Sequence, residues 1–194
     1  MILWINGAWG SGKTTCTFEL NRRLPHSFVY DPENAGYFIR QNIPIGLHKS
    51  NFQDHEQWRL INYEMLHYLS NVYDGIILVP MTLIHSHYYD EIIGKLRKDG
   101  IDVKHYILYA EKKTIEKRLK KRFERGTWAK SQIDQCIYAF NYEITEEKII
   151  TDNKSVASII EEIAGKSGLT LIADKRNPLK KQIDRLITGI KHIR

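Results

Sequence analysis

The residues with the clearest chemical role form a candidate phosphate-binding loop near the start of the chain. Residues 7–14 read Gly-Ala-Trp-Gly-Ser-Gly-Lys-Thr, which fits the pattern G-x-x-x-x-G-K-[ST] without a departure. Glycines let backbone N–H groups approach phosphate oxygens, and the helix that follows adds partial positive charge at its N-terminus. Lys13 is predicted to reach the β- and γ-phosphates of ATP, and Thr14 to offer its hydroxyl to Mg²⁺. The predicted cofactor-binding residues of the loop are Gly7, Ala8, Trp9, Gly10, Ser11, Gly12, Lys13, Thr14 and Thr15.

A basic segment at about residues 112–130 is the second candidate, and we interpret it as a lid that closes over the transferred group. Arg118, Arg122 and Arg125 recur at i, i+4 and i+7 beside an apolar stripe, while the lysines lie on the far side of the helix. The planar fork of arginine suits phosphate, whereas the hydrated lysine ammonium suits solvent. The three arginines are therefore predicted to be catalytic. The alternative is an ordinary solvated basic helix.

The acceptor side of a transfer reaction is expected to begin at Asp31, in the run Tyr30-Asp31-Pro32-Glu33 after the second predicted strand. A carboxylate there could accept a proton from an acceptor hydroxyl, or support Mg²⁺ through water. The alternative is that Asp31 caps the helix that follows, because Asp-Pro is a favourable helix start. Arg40 and Arg59 are candidates for binding an anionic acceptor, with surface ion pairs as the alternative for each.

The third predicted strand does not end in an acidic residue. Many phosphate-loop enzymes carry an Asp or Glu at the end of a later strand, where it supports the metal. The strand predicted at residues 76–79 runs into Pro80-Met81-Thr82, with neither Asp nor Glu. Support for Mg²⁺ is therefore assigned to Thr14 and Asp31. His85 and His87 lie nearby, but two histidines without a third ligand indicate a polar helix start rather than a metal site.

The candidate site residues must be positioned by strands and helices. The sequence alternates short apolar runs, which predict strands, with amphipathic stretches, which predict helices. Strands are predicted at residues 2–5, 27–30, 75–81, 103–109 and 148–151. Helices are predicted near residues 58–72, 92–96, 113–125, 129–145 and 155–165. This alternation indicates right-handed β-α-β units and a parallel sheet in an α/β fold. The sheet-like run at residues 169–172 is followed by a polar turn, which predicts a domain at 1–173 and a C-terminal segment at 174–194.

That C-terminal segment is predicted to form a basic amphipathic helix. Apolar residues at positions 179, 183, 186, 187, 190 and 193 fall on one helical face, and Lys and Arg decorate the others. Residues 179–194 could lie on an anionic membrane surface. Alternatively, the apolar face packs on the protein's own core or on a second subunit.

Composition excludes several classes of protein. With 194 residues, 42% hydrophobic and 27% charged, the chain resembles an ordinary globular protein of one domain. Two cysteines are too few for a disulfide scaffold, and the lack of a secretory signal favours a cytoplasmic location. The net charge of +6 comes from two basic clusters, at residues 111–130 and 174–194, on an otherwise acidic chain. Nucleic acid is an improbable partner, because no aromatic stacking platform or recognition motif accompanies these clusters.

Among phosphate-loop proteins, a small-molecule kinase fits this chain best. The Asn-Lys-x-Asp motif with which GTPases read the base is not complete, because Asn153-Lys154-Ser155-Val156 lacks the aspartate. The chain also lacks a Leu-Ser-Gly-Gly-Gln signature and is short for a motor or transporter ATPase. Two functions stay open: a kinase, and a protein that binds its ligand in the presence of ATP without modifying it.

From Met1 to the final helix, the chain resembles the bacterial tunicamycin-resistance proteins. The resemblance is carried by the segments 4–14, 29–33, 79–82, 132–134 and 151–153. It implies a three-layer α/β/α P-loop NTPase fold with a five-stranded parallel sheet, similar to nucleoside-monophosphate and shikimate kinases. It also implies ATP binding through residues 7–14, and resistance to tunicamycin or a similar nucleoside antibiotic as the small-molecule acceptor. Finally, it implies peripheral association of the last helix with the inner face of the membrane, and adenine binding near Asp152 and Asn153.

Overall fold

Five parallel strands form one sheet in the order β2-β3-β1-β4-β5. This computed structural model describes the backbone of residues 1–121 and 127–191, with their side chains except at 121, 127–131, 190 and 191. The strands are β1 (Ile2–Gly7), β2 (Ser27–Val29), β3 (Ile76–Pro80), β4 (Val103–Tyr109) and β5 (Glu147–Ile150). The α/β fold with a five-stranded parallel sheet is thus confirmed.

Helices cover both faces of the sheet. They are α1 (Lys13–Arg23), α2 (Glu33–Asn42), α3 (Glu56–Val72), α4 (Ser86–Tyr89), α5 (Lys95–Lys98), α6 (Lys112–Lys121), α7 (Thr127–Tyr142), α8 (Val156–Lys166) and α9 (Pro178–Lys191). A π-helical turn at Asp90–Gly94 joins α4 to α5, and 3₁₀ turns lie at Ile45–Leu47 and Phe52–Asp54. None of these described helices combines the length and apolar character needed to cross a lipid bilayer.

The central strand β1 is buried on both faces, which produces three layers. Ile2 and Trp4 pack into the cluster beneath α2, α3 and α5, while Leu3 and Ile5 pack into the cluster beneath α1 and α8. Alternate residues of a strand point to opposite sides, so two helical layers cover the sheet. The continuous apolar run at Ile76–Pro80 has the same cause, because β3 is also covered on both faces.

A third apolar cluster seats α6 over the phosphate-binding loop. Ile115 and Leu119 are buried together with Ala8 of the loop. Lys113 and Lys117 are exposed on the opposite side of α6. The predicted division of this helix into an apolar stripe and a lysine face is therefore present. The predicted catalytic residues Arg122 and Arg125 lie outside the described residues.

The structure shows how the C-terminal region is arranged. The sheet-like run at residues 169–172 forms no strand, and its backbone bonds to helix ends instead: the Leu169 N–H donates to the Ala164 carbonyl of α8 at 2.8 Å, and the Ile172 N–H donates to the Arg23 carbonyl of α1 at 2.9 Å. Of the alternatives open for the apolar face of α9, full burial against the core does not apply to the four described residues that form it. These four residues are exposed to solvent: Leu179 (67%), Ile183 (47%), Leu186 (64%) and Ile187 (45%).

Candidate functional site

The phosphate-binding loop joins the end of β1 to the start of α1. Gly7 has φ +146°, and a Cβ there would lie 2.6 Å from the Ser11 Oγ and 2.7 Å from the Leu108 carbonyl oxygen. Gly12, at the N-cap of α1, has φ +101°, in the left-handed region that favours glycine. Gly7 is therefore required both for space and for its backbone conformation, whereas Gly12 is required for its backbone conformation.

Lys13 reaches back from α1 across the loop. Its Nζ donates to the carbonyl oxygens of Gly7 at 2.9 Å and Ala8 at 3.1 Å. The hydroxyl of Ser11, buried within the same loop, has no hydrogen-bond partner among the described residues. The first turn of a helix also leaves N–H groups without helical acceptors. A phosphate group offers acceptor oxygens to all of these donors, so the loop fits the triphosphate of ATP.

Two polar residues hold the loop against the segment that follows β3. The fully buried Asn6 accepts at Oδ1 from the N–H groups of Gly7 (2.8 Å) and Leu83 (3.0 Å). The Thr82 hydroxyl donates to the Gly7 carbonyl oxygen at 2.8 Å. Sequence reasoning assigned neither residue a role, although the Val-Pro-Met-Thr run that contains Thr82 contributed to the resemblance. Thr82 follows the strand where other phosphate-loop enzymes carry an acidic residue.

Arg118 places α6 in direct contact with the loop. Its Nη1 donates to the Ser11 carbonyl at 3.3 Å and to the Thr151 hydroxyl at 3.0 Å, and its Nη2 donates to the Thr151 carbonyl at 2.8 Å. A cavity of about 320 Å³ lies beside this arginine. It is lined by Gly10, Ser11, Gly12, Thr15, Cys16, Arg118, Lys154, Val156 and Ile159. The arrangement suits the nucleoside part of ATP, next to a loop that suits its phosphates.

The residues predicted to hold adenine lie at the edge of this region. The Asp152 carboxylate accepts from the Glu111 N–H at 3.2 and 3.3 Å, which fixes the turn between β4 and α6. Asn153 has φ +56°, a left-handed conformation that asparagine tolerates. The neighbouring Lys154 and Val156 line the cavity instead. Adenine binding by Asp152 and Asn153 stays a prediction.

A second cavity, of about 400 Å³, opens on the other side of the loop. It is lined by Trp9, Glu33, Tyr37, Arg40, Ser50, Asn51, Phe52, Gln53, Met81 and Thr82. Trp9 belongs to the phosphate-binding loop, so the cavity adjoins that loop. We call it the acceptor cavity.

Arg40, a predicted substrate-binding residue, does line the acceptor cavity. Its Nη2 donates to the Ser50 carbonyl at 3.2 Å, and its guanidinium lies 5.6 Å from the centroid of the Phe52 ring. One side of this guanidinium is therefore held by the protein. A guanidinium has further N–H donors that could bind an anionic or carbonyl group, and binding of an acceptor by Arg40 stays a prediction.

Arg59 occupies a different position, behind the cavity wall. Its Nη1 donates to the Gln53 carbonyl at 2.7 Å, its Nε pairs with the Glu91 carboxylate, and its guanidinium lies 4.5 Å from the Tyr88 ring centroid. Gln53 in turn donates from Nε2 to the Thr82 carbonyl at 2.8 Å. These contacts position the wall of the cavity, and direct binding of an acceptor by Arg59 stays a prediction.

Asp31 caps α2, one of the two interpretations of its sequence context. Its Oδ1 accepts from the Glu33 N–H at 3.0 Å, and its carbonyl accepts from the Asn34 N–H at 3.2 Å. The predicted roles of Asp31 as proton acceptor and Mg²⁺ support stay predictions. Glu33, which sequence reasoning overlooked, lines the acceptor cavity. The signal in the sequence that could have identified Glu33 was its position in the same short turn as Asp31.

Among the residues that the structure describes, no group of three or more His, Cys, Asp and Glu side chains could hold a metal ion. His87 pairs with Glu91 at 2.9 Å, and the His85 ring lies 5.0 Å from that of Tyr88. Support of Mg²⁺ by Thr14 and Asp31 stays a prediction.

Comparison with known proteins supports a kinase-like fold. The chain is similar to the tunicamycin resistance protein of Deinococcus radiodurans, with 28% sequence identity, coverage of 89% of this chain and 98% of that one, and a TM-score of 0.77. This similarity confirms the resemblance that the sequence indicates. No protein-family model matches the sequence, and no curated protein matches it.

More distant similarities concern the fold alone. A deoxyadenosine kinase from M. mycoides, solved with dCMP and dCDP bound, shares 17% identity, with 87% of this chain and 99% of that chain covered and a TM-score of 0.54. A shikimate kinase from Bacteroides thetaiotaomicron also shares 17% identity, with 87% and 99% covered and a TM-score of 0.55. Both are phosphoryl-transfer enzymes by name, and both support the P-loop kinase architecture of this chain.

Proposed function

We propose that this protein binds ATP with Mg²⁺, transfers the γ-phosphoryl group to a hydroxyl of a nucleoside-type antibiotic, and so confers resistance to tunicamycin or a similar compound. The main support for this proposal is a carbonyl oxygen that accepts two hydrogen bonds. The Gly7 carbonyl accepts both from Lys13 Nζ and from the hydroxyl of Thr82, which lines the acceptor cavity. Because the Lys13 Nζ and the Thr82 hydroxyl contact the same oxygen atom, they lie close to each other. An acceptor in the cavity would therefore lie beside a terminal phosphate bound by Lys13.

The two cavities supply the arrangement that a transfer requires. Gly10, Ser11 and Gly12 face the cavity beside Arg118, whereas Trp9 faces the acceptor cavity. A triphosphate lying along the loop would direct its γ-phosphorus from the first cavity toward the second. In-line attack by the acceptor oxygen on that phosphorus forms one P–O bond, breaks the bond to the β-phosphate oxygen, and releases ADP.

The basic residues of the loop and lid would stabilise charge during the transfer. Lys13 would contact the β- and γ-phosphates, a role supported by the reach of its Nζ across the loop to the Gly7 carbonyl, and Arg118 is held at the loop by its bonds to Ser11 and Thr151. Arg122 and Arg125 are retained as proposed catalytic residues from the sequence pattern. A bound Mg²⁺ supplies neutralisation of the phosphate charge, with Thr14 as its protein ligand and Asp31 as a support through water.

A second function is favoured by a specific observation. Thr82, rather than an acidic residue, follows β3 and bonds to the loop. A site with so little acidic metal support could use ATP to close the acceptor cavity and sequester the antibiotic unmodified. This alternative predicts protection of no more than one antibiotic molecule per protein.

Incubation with γ-labelled ATP and an excess of tunicamycin separates the two functions. Transfer predicts labelled antibiotic whose mass has increased by one phosphoryl group, formed in more than one equivalent per protein. Recovery of chemically unchanged antibiotic after denaturation, with protection limited to one equivalent, would exclude transfer and support sequestration. Absence of ATP binding by calorimetry would exclude both.

The last helix supports a further part of this proposal, association with an anionic membrane surface. Four apolar residues of α9 are 45–67% exposed, and Lys180 is exposed beside them. A helix with an apolar face and flanking lysines has the chemistry that binds at the interface of anionic bilayers. We therefore propose that residues 179–194 contact the inner face of the membrane.

Vesicle sedimentation tests the membrane contact. The full chain should sediment with vesicles that contain anionic lipid and remain in solution with vesicles of neutral lipid, with binding weakened by salt. Leu179→Ser combined with Leu186→Ser should abolish sedimentation while ATP binding persists. A chain that ends at residue 177 should behave in the same way. Formation of a stable dimer by the full chain, lost in the double variant, would instead assign the face to a second copy.

A further inference from the structure

One face of α2 brings three polar side chains to the acceptor cavity. Glu33, Tyr37 and Arg40 are spaced at i, i+4 and i+7, so they share a helical face, and all three line the cavity. The Tyr37 hydroxyl donates to the Glu33 Oε2 at 3.2 Å. The carboxylate is therefore oriented by a neighbour on its own helix. Among the described residues that line this cavity, Glu33 is the acidic one.

The side chain of Asp31, two residues before Glu33, has a backbone hydrogen-bond partner at the start of α2. Its Oδ1 accepts from the Glu33 N–H, and this bond ties its side chain to the start of α2. Asp31 is not among the residues that line the acceptor cavity. The two carboxylates of the Asp-Pro-Glu turn thus have separate positions, one at the helix cap and one at the cavity.

The rest of the cavity indicates what kind of acceptor Glu33 would meet. Trp9, Tyr37 and Phe52 contribute aromatic rings, which suit a planar heterocycle. Asn51 and Gln53 contribute amides that can pair with the edge of such a ring, with Gln53 already held by its bond to Thr82. The volume of about 400 Å³ lies within the ~300–1,000 Å³ typical of small-molecule sites. A nucleoside with a free hydroxyl matches this combination.

Resting on the proposed transfer function, we propose that Glu33, rather than Asp31, contacts the acceptor hydroxyl of a nucleoside-type substrate and takes its proton. As the acceptor oxygen forms its bond to the γ-phosphorus, the O–H bond breaks and the proton passes to the Glu33 carboxylate. The bond from the γ-phosphorus to the bridging oxygen breaks, and ADP leaves with that electron pair. Glu33 then releases the proton to solvent. Tyr37 acts as a positioning residue, since it holds the carboxylate and does not touch the reacting oxygen.

Three matched variants test this assignment. Glu33→Gln keeps the size of the side chain and removes the base, so kcat should fall about 10²- to 10⁴-fold while the Kd for ATP is unchanged. Asp31→Asn removes a charge and keeps the cap, because asparagine caps helices as well as aspartate. Its loss in kcat should be at least about tenfold smaller than that of Glu33→Gln. Glu64→Gln, at an exposed position of α3, should match the wild type.

The readouts distinguish failure of this assignment from failure of the proposed function. If the wild type phosphorylates tunicamycin and Glu33→Gln does so at a similar rate, Glu33 is not the base and the transfer function stands. If the wild type transfers no phosphoryl group, the proposed function fails first, and the proton-accepting role of Glu33 fails with it.

Equilibrium binding and the tyrosine provide a second measurement. Glu33→Gln should weaken binding of tunicamycin about tenfold, because a hydrogen bond to a charged group contributes ~1.5 kcal/mol or more. Tyr37→Phe should lower kcat by a smaller factor and leave the KM for ATP unchanged. Glu33→Asp should recover part of the lost activity, since it restores the base at a shorter reach. An unchanged antibiotic Kd in Glu33→Gln, or no recovery in Glu33→Asp with a folded protein, would overturn the assignment.

Discussion

The buried carboxylate of Glu19, in the helix that follows the phosphate-binding loop, is bound by the guanidinium of Arg176, just before the last helix. Arg176 Nη2 donates to Glu19 Oε2 at 2.6 Å and its Nη1 donates to Oε1 at 3.3 Å. Glu19 is 1% exposed. The same arginine pairs with Asp174 and Asp184, and the buried Thr188 accepts a hydrogen bond from Arg22. The last helix therefore docks on α1 through its polar face, which leaves its apolar face outward.

Replacement of Arg176 should destabilise the protein substantially. Arg176→Ala leaves the buried Glu19 carboxylate with only part of its compensation, and removal of one partner of a buried pair costs about 3 kcal/mol or more. Urea denaturation followed by circular dichroism measures this loss. Lys175→Ala, at the exposed neighbouring position, is the control and should change stability by less than about 0.5 kcal/mol. Equal stabilities of the two variants would contradict the docking role of Arg176.

His105 should make the stability of the fold depend on pH. The ring is fully buried, neither ring nitrogen has a hydrogen-bond partner among the described residues, and burial lowers its pKa to about 3. Glu146, 3.8 Å from Nδ1, opposes this shift, while Arg97 adds to it. Below about pH 6.5 the unfolded chain binds a proton that the folded protein excludes. Stability should thus fall as the pH drops from about 6.5 toward 3, by up to ~1.4 kcal/mol per unit.

His105→Phe removes that titration and keeps an aromatic ring stacked on Tyr89. Its free energy of unfolding at pH 7.5 should be no lower than that of the wild type, because no hydrogen bond of the ring is lost. Between pH 7.5 and 5 it should lose less stability than the wild type. Urea titrations at both pH values measure the difference. Parallel losses in the two proteins would show that other groups cause the acid sensitivity.

Lys13→Ala should weaken ATP binding with little effect on folding. A lost charge-assisted hydrogen bond contributes ~1.5–3 kcal/mol, which corresponds to about a 10- to 100-fold rise in the Kd for ATP. Isothermal titration calorimetry in the presence of Mg²⁺ measures the change. Lys113→Ala, on the exposed face of α6, carries the same charge change and should bind ATP as the wild type does. An unchanged Kd in Lys13→Ala would contradict the assignment of the loop.

Arg118→Lys tests whether the fork of the guanidinium matters. Lysine cannot reproduce simultaneous bonds to Ser11 and to both oxygens of Thr151. We expect a loss of about 1–2 kcal/mol in stability and weaker ATP binding, because α6 is no longer held at the loop. Thermal unfolding with and without ATP reports both effects. Lys120→Ala, exposed on the same helix, should leave both unchanged.

Local patterns in the sequence determined the fold class and the phosphate-binding loop. Glycine spacing, an apolar strand before the loop and a helix after it depend on neighbouring residues, so residues 7–14 identify the loop without knowledge of the fold. The five strands were predicted to within a few residues, because each has its own apolar run. The division of α6 into Ile115 and Leu119 on one side and lysines on the other follows from helical periodicity alone.

Tertiary structure decided which partner each polar residue meets. Glu19 and Arg176 are 157 positions apart, and nothing near either residue identifies the other. Periodicity showed that the last helix has an apolar face, but the charged cluster around Arg176 decided that this face points outward. In the same way, the sequence drew attention to Asp31 and gave no role to Glu33, which lies in the same turn. Only the path of α2 past the loop separates a helix cap from a cavity wall, because contacts between distant segments depend on how the elements pack and not on local spacing.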